Sequence, residues 1–217
     1  MIKDTDIKLG LVCGVHVVIS LVLVFTVDFG LYAWLAWNVF LSMIPLGLSY
    51  LADKLKARGN RLMYTVVLVP WLLFFPNAHY MVTNVMHIRW HGFTGIHWNY
   101  IEGIAPWFGM IHMTLGIILG IFAGLYSLDR VLCPYLKGSR RGRVLGATAL
   151  GAVALASGYA IYIGRFLRFN SWDLVRPVYL VRSLVADFDT FALQFSLLFA
   201  VYVAASYLVF HFLRRDG

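Results

Sequence analysis

The apolar positions of this chain run on rather than recur. Six stretches, roughly 9–27, 31–51, 62–88, 105–128, 144–164 and 191–213, are hydrophobic on all sides. A helix needs about 20 mostly apolar residues to cross ~30 Å of hydrocarbon, and each stretch is near that length. Barrel strands would be about 10 residues long and would alternate. The pattern predicts an all-α integral membrane protein, a six-transmembrane-helix bundle forming a single domain over residues 1–217. The first stretch does not read as a secretory signal, because it lacks a small-residue cleavage motif and Asp4 and Asp6 accompany Lys3 and Lys8.

Three local patterns modify the bundle. Pro70 and Pro76 each remove a backbone donor, so the third span is expected to kink. Residues 174–188 place Leu174, Val178, Val181, Val185 and Phe188 on one stripe, with Arg176, Arg182 and Asp187 off it and Pro177 in the first turn. That predicts an external amphipathic helix lying on the outer membrane surface. The connection 89–104 is rich in aromatic residues and histidine (Trp90, His91, His97, Trp98, Tyr100), suited to a lid or to a rest at the headgroups.

Composition agrees with the membrane class. Hydrophobic residues make up 61% and charged residues 13%, with a mean hydropathy of +0.77. Soluble domains sit nearer ~45–50% and ~25%, so a cytosolic domain and a disordered chain are both excluded. Two cysteines, Cys13 and Cys133, do not make a disulfide scaffold.

The net charge of +8 changes the picture only after it is sorted. Thirteen of the 18 basic residues fall in the N-terminus, 52–61, 129–143 and the C-terminal tail, while the ten acids divide five and five. By the positive-inside rule both termini are cytoplasmic, as an even number of spans requires. The surplus, including Lys137–Arg143, then sets topology and faces anionic lipid headgroups, and no nucleic-acid partner is needed to explain it. The cytoplasmic loops hold no carboxylate cluster, glycine-rich phosphate loop or metal spacing, so that face reads as structural. Small residues at Gly116, Gly120 and Gly124, and the pairs Ala147–Gly151 and Ala154–Gly158, are read as contacts within the bundle.

Candidate chemistry lies on the outer side. Asn77, Tyr80, Asn84, His87 and His91 follow steps of 3, 4, 3 and 4, one stripe of an α-helix. Helical from residue 62, Asn77 would lie roughly 22 Å along the axis, still within hydrocarbon. Polar groups at such depth are costly unless they face protein or water. The second constellation, Arg165, Arg168, Asn170 and Asp173, follows the fifth span. Arg165 and Arg168, at i and i+3, are expected to share a face and to suit bidentate recognition of phosphate or carboxylate. The two segments are expected to converge at one polar cavity on the outer face.

The segments Phe75-Pro76-Asn77-Ala78-His79-Tyr80 with Thr83-Asn84, and Arg165-Phe166-Leu167-Arg168-Phe169-Asn170-Ser171-Trp172-Asp173, resemble a bacterial membrane family, domain of unknown function 1361. The resemblance covers nearly the whole chain and implies a multi-span protein of the bacterial inner membrane, without an established activity. The family pattern reads Pro-Asn-Ala-Pro-Tyr and then Thr-Asp. This chain has His79 and Asn84 at the differing places, so a carboxylate role at 84 is not carried over.

Three functions fit these residues. The first, slightly ahead, is a non-catalytic accessory subunit, assembly factor or small-solute binder with a membrane-protein partner. The second is an intramembrane enzyme acting on a lipid-linked or anionic envelope substrate. In it His87 and Asp173 would be catalytic, and Asn77, Tyr80, Asn84, Arg165, Arg168 and Asn170 would bind substrate. The third is metal or haem binding. His87 and His91 at i, i+4, with His79 or His97, could share a metal. For haem, His16 and His112 lie inside spans, but at estimated depths of ~11 Å and ~17–20 Å from the inner edge they are not level. No C-x-x-C-H motif is present, so the cofactor question stays open.

Overall fold

The computed structural model describes residues 4–27, 29–91, 102–169 and 189–215. The elements are α1 (Asp4–Thr26), α2 (Phe29–Ala57), α3 (Arg61–Phe74), α4 (Pro76–Tyr80), a 3-10 run (Met81–His91), α5 (Ile104–Leu136), α6 (Arg140–Tyr162), a single π turn (Ile163–Leu167) and α7 (Thr190–Arg215). No strand occurs among the described residues. Six helical segments are long and apolar enough to cross a membrane, and they coincide with the six stretches read from the sequence. The amphipathic helix expected at 174–188 and most of the 89–104 connection lie outside the described residues.

Helix ends follow local chemistry. α2 closes at Gly59, whose φ of 72° is left-handed and favours glycine. Asn60 then caps α3, its side chain accepting from the Met63 N–H at 3.0 Å. Ser139 caps α6 in the same way, accepting from Gly142 N–H at 3.3 Å. The third span breaks at Phe75, because Pro76 has no N–H to continue the ladder. Ala78 N–H reaches back only three residues, to the Phe75 carbonyl. The carbonyl of Phe74 is taken instead by the side-chain amide of Asn77 at 2.9 Å.

α5 is the organising helix. Its N-terminal half puts Met113 and Ile117 into a core with Cys13 of α1, Leu35 and Val39 of α2, and Met81. Its other half puts Leu125, Leu128 and Leu132 into a second core with Trp71, Phe75, Ala154, Val203 and Tyr207. Between these cores Gly116, Gly120 and Gly124 admit neighbours at backbone distance. A Cβ at Gly116 would come 2.9 Å from the His16 ring, at Gly120 2.7 Å from Met81 Cγ, and at Gly124 2.5 Å from Ala78 Cβ. A hydrogen-bond relay ties three helices across the second core. Trp71 Nε1 donates to Ser127 Oγ at 2.6 Å, and Ser127 donates to the Pro45 carbonyl at 2.9 Å.

One packing expectation needs correction. Ala147 and Gly151 are exposed, and a Cβ on Gly151 would meet nothing within 4 Å. The face of α6 that packs is Gly146, Leu150, Ala154 and Gly158, since a helix turns about 100° per residue and only one small-residue pair can face α7. At Gly158 the two backbones nearly touch, and a Cβ there would lie 2.1 Å from the Ser196 carbonyl oxygen.

The two glycines therefore respond oppositely to alanine. Gly158→Ala is expected to cost about 1–3 kcal/mol through overpacking. Gly151→Ala should leave stability unchanged or raise it by up to about 1 kcal/mol through helix propensity. Thermal unfolding of the purified protein in detergent reads both.

Candidate functional site

The end of the bundle away from the termini brings together Tyr80, His87 and Arg165. Arg165 rides on the π turn that finishes the fifth span, a widened turn of the kind that re-aims side chains. Gly164 lies against the Tyr80 ring, 3.6 Å from where its Cβ would be, which lets the turn approach the third span. From there Arg165 Nη1 donates to His87 Nε2 at 3.2 Å and, at a longer 3.5 Å, to the Tyr80 hydroxyl. Its Nη2 lies 3.6 Å from Met86 Sδ. Trp34 of α2 meets the His87 ring edge-on, with centroids 4.6 Å apart.

A guanidinium cannot accept a hydrogen bond, so His87 Nε2 is the acceptor and carries no proton in this arrangement. The imidazole is occupied at that atom, which limits what it can do as an acid or base.

The other candidates separate. The 3-10 run has three residues per turn, so Met81, Asn84 and His87 form a row in place of the α-helical stripe. Asn84 on that row is fully buried. Its amide N–H₂ faces Met81 Sδ at 3.7 Å, and its Oδ1 finds no donor among the described residues. Asn77 is half-buried and spends its amide on the Phe74 carbonyl, mending the proline break. Arg168 does not continue the face of Arg165. It takes a left-handed conformation (φ 59°, ψ 27°) just past the π turn and is exposed, so the i, i+3 premise fails where the helix ends. Asn170, Asp173, His97 and the side chain of His91 lie outside the described residues. Among the described residues no group of three or more His, Cys, Asp or Glu side chains is placed to hold a metal.

Two polar clusters were not anticipated. In the first, His16 and His112 stack with centroids 4.1 Å apart and planes within 6°. The depth estimate took the two spans to end level at the terminus-bearing face, whereas His16 lies 12 residues from the start of α1 (Asp4) and His112 24 residues from the end of α5 (Leu136), so the two helices are offset along their axes. Ser20 Oγ donates to the His16 carbonyl at 2.9 Å and accepts from His112 Nε2 at 2.8 Å, while His16 Nε2 donates to the His112 carbonyl at 3.0 Å. His16 Nδ1 is left buried with no donor among the described residues. The i, i+4 spacing of His16 and Ser20 in an apolar span was the available signal.

The second cluster surrounds Asp129, a buried carboxylate at 5% exposure. Oδ1 accepts from Tyr207 at 3.2 Å and His211 Nδ1 at 3.0 Å, and Oδ2 from Arg214 at 2.6 Å. Asp129 and Arg214 lie just past the span limits drawn on hydropathy, which placed them in a loop and a tail. The spacing 207, 211, 214 is nonetheless one face of a helix. The terminus-bearing face is thus more than basic loops.

His79 is fully buried and contacts Ser206 Oγ through Nε2 at 3.3 Å, so it is a packing residue between the third span and α7 and stands apart from His87.

The family model described as Protein of unknown function (DUF1361) matches residues 37–205, more than three quarters of the chain. The chain belongs to the DUF1361 family. The match takes in both halves of the Tyr80–His87–Arg165 site and Asp129, and leaves α1 and the end of α7 outside it. Comparisons with curated proteins and with solved structures give no match.

Removing the Asp129 carboxylate would leave Arg214 and two hydrogen-bond donors without their acceptor at the α5–α7 contact. Asp129→Ala is expected to destabilise the bundle by about 3 kcal/mol, the low end for a broken buried ion pair because Arg214 is 29% exposed. Thermal unfolding in detergent checks it, and a loss under about 1 kcal/mol would show the cluster to be dispensable.

Proposed function

We propose that this DUF1361 protein binds an anionic group, a phosphate or carboxylate on an envelope or lipid-linked molecule, at the end of the bundle away from its termini. In this reading it acts as a binding or accessory component of the membrane and not as a catalyst. The observation that carries the reading is the environment of Arg165. Its guanidinium is half-buried at the end of a membrane span, and its contacts among the described residues are neutral: an imidazole nitrogen, a phenol and a thioether. Neutral acceptors orient a cation without balancing its charge, and a charge at such a depth is retained where it meets a counter-charge. Guanidinium geometry suits a planar or tetrahedral oxyanion, with Tyr80 and Trp34 supplying an aromatic wall. The engagement of His87 Nε2 by Arg165 weighs against a general base at that atom.

The charge distribution supports an orientation in which this site opens to the outside and both termini lie in the cytoplasm, in the inner membrane of a bacterium. Thirteen of 18 basic residues lie at the terminus-bearing end, the bias that retains loops on the cytoplasmic side. A green fluorescent protein fused after Gly217 should fluoresce, and alkaline phosphatase fused after Glu102 should be active; the reverse pair of results refutes the orientation.

Binding is testable on the purified protein with dioctanoyl phosphatidic acid as probe, read by tryptophan fluorescence against a Trp34→Phe control. Arg165→Ala is expected to weaken binding about tenfold or more, the value of a charge-assisted hydrogen bond of about 1.5–3 kcal/mol. Arg165→Lys should recover part of it. Equal affinity for wild type and Arg165→Ala would end this reading.

A further inference from the structure

A cleft of about 280 Å³ opens at the terminus-bearing end, lined by Asp53 of α2, Asp129 and Arg130 of α5, Lys137 at the C-terminal cap of α5 and Arg214 of α7, with Tyr126 at its wall. Both carboxylates are already committed. Asp53 pairs with Arg130 at 2.8 Å and Asp129 with Arg214 at 2.6 Å. Each arginine is also held over an aromatic face, Arg130 over Tyr50 at 4.0 Å and Arg214 over Tyr126 at 5.0 Å. The cationic heads are therefore fixed in place before any ligand arrives. Lys137, exposed at the rim, makes three positive charges against two negative ones. A guanidinium has five N–H donors, and Asp129 takes one of those of Arg214.

The position of the cleft decides what it would meet. It sits where three membrane spans end, at Ala57, Leu136 and Arg214, the level at which phospholipid phosphates lie. Its volume equals about nine waters at ~30 Å³ each, the size of a phosphate with its glycerol. Basic pockets between membrane helices are suited to anionic headgroups. We propose that this cleft binds the phosphate of an anionic phospholipid from the leaflet at the terminus-bearing end. It is a site separate from that of Arg165 and does not depend on it.

The test uses delipidated full-length protein carrying Arg165→Ala, so that the opposite end contributes nothing. It is titrated with dioctanoyl phosphatidylglycerol, dioctanoyl phosphatidylcholine and glycerol 3-phosphate, with native mass spectrometry as readout. Phosphatidylglycerol should bind at least about fivefold more tightly than either alternative, and Lys137→Gln should lower its affinity about fivefold, with Lys137→Arg restoring it. Lys137 is exposed and outside the Asp129 cluster, so the melting temperature should not move. Equal binding of the two lipids, or an unchanged affinity in Lys137→Gln, overturns the proposal. Glycerol 3-phosphate binding as tightly as the lipid overturns the lipid source and makes this a soluble-anion site.

Discussion

The bundle depends on how closely its helices approach α5. Lipid offers no hydrophobic drive for helix association, so contact must come from van der Waals packing and polar contacts at short range. Gly116, Gly120 and Gly124 provide that range, receiving α1, α2 and α4 at distances where a single added methyl group would collide. With the helices this near, α5 serves two cores at once, one on each half of its length. Gly158 against Ser196 joins α6 to α7 by the same means.

Close packing also decides where polar groups can live. Within hydrocarbon a donor or acceptor has no water to turn to, and the interior polar groups are used mainly to tie helices together. Trp71 and Ser127 reach the Pro45 carbonyl, and Ser20 reaches both stacked histidines. Asn77 shows how such a residue can look functional while serving the backbone: it repairs the carbonyl that the Pro76 break sets free. What differs at the two ends of the bundle is charge. At one end every described carboxylate of the cleft has an arginine. At the other, Arg165 has only neutral partners among the described residues. A cation fixed by neutral groups is the arrangement that invites an anion.

The number of spans, their approximate positions and the break in the third span were legible in the sequence, because hydropathy and proline act locally, although α2 and α5 run six and eight residues past the stretches drawn. The convergence of Tyr80, His87 and Arg165 was anticipated from two separate polar stretches and a shared side of the membrane. The face of Arg168 and the α-helical register of the 77–91 stripe were not, since a left-handed residue and a 3-10 run depend on how the chain is held by its neighbours. The Asp129 cluster escaped because hydropathy marks where a chain leaves hydrocarbon. Helices α5 and α7 carry on past that point.

By itself the sequence determined that this protein is an all-helical membrane protein of the DUF1361 family, with its positive charge gathered at one end. These follow from composition and short motifs, which no partner helix can alter. Only the tertiary structure decided which polar residues meet. It paired His16 with His112 and Asp129 with His211 and Arg214, brought Arg165 to His87, and turned Gly151 away from the packed face that holds Gly158. The physical reason is that such contacts depend on the relative rotation and axial offset of two helices. Those are set by side-chain packing across the bundle, a property of pairs of segments and not of either one alone.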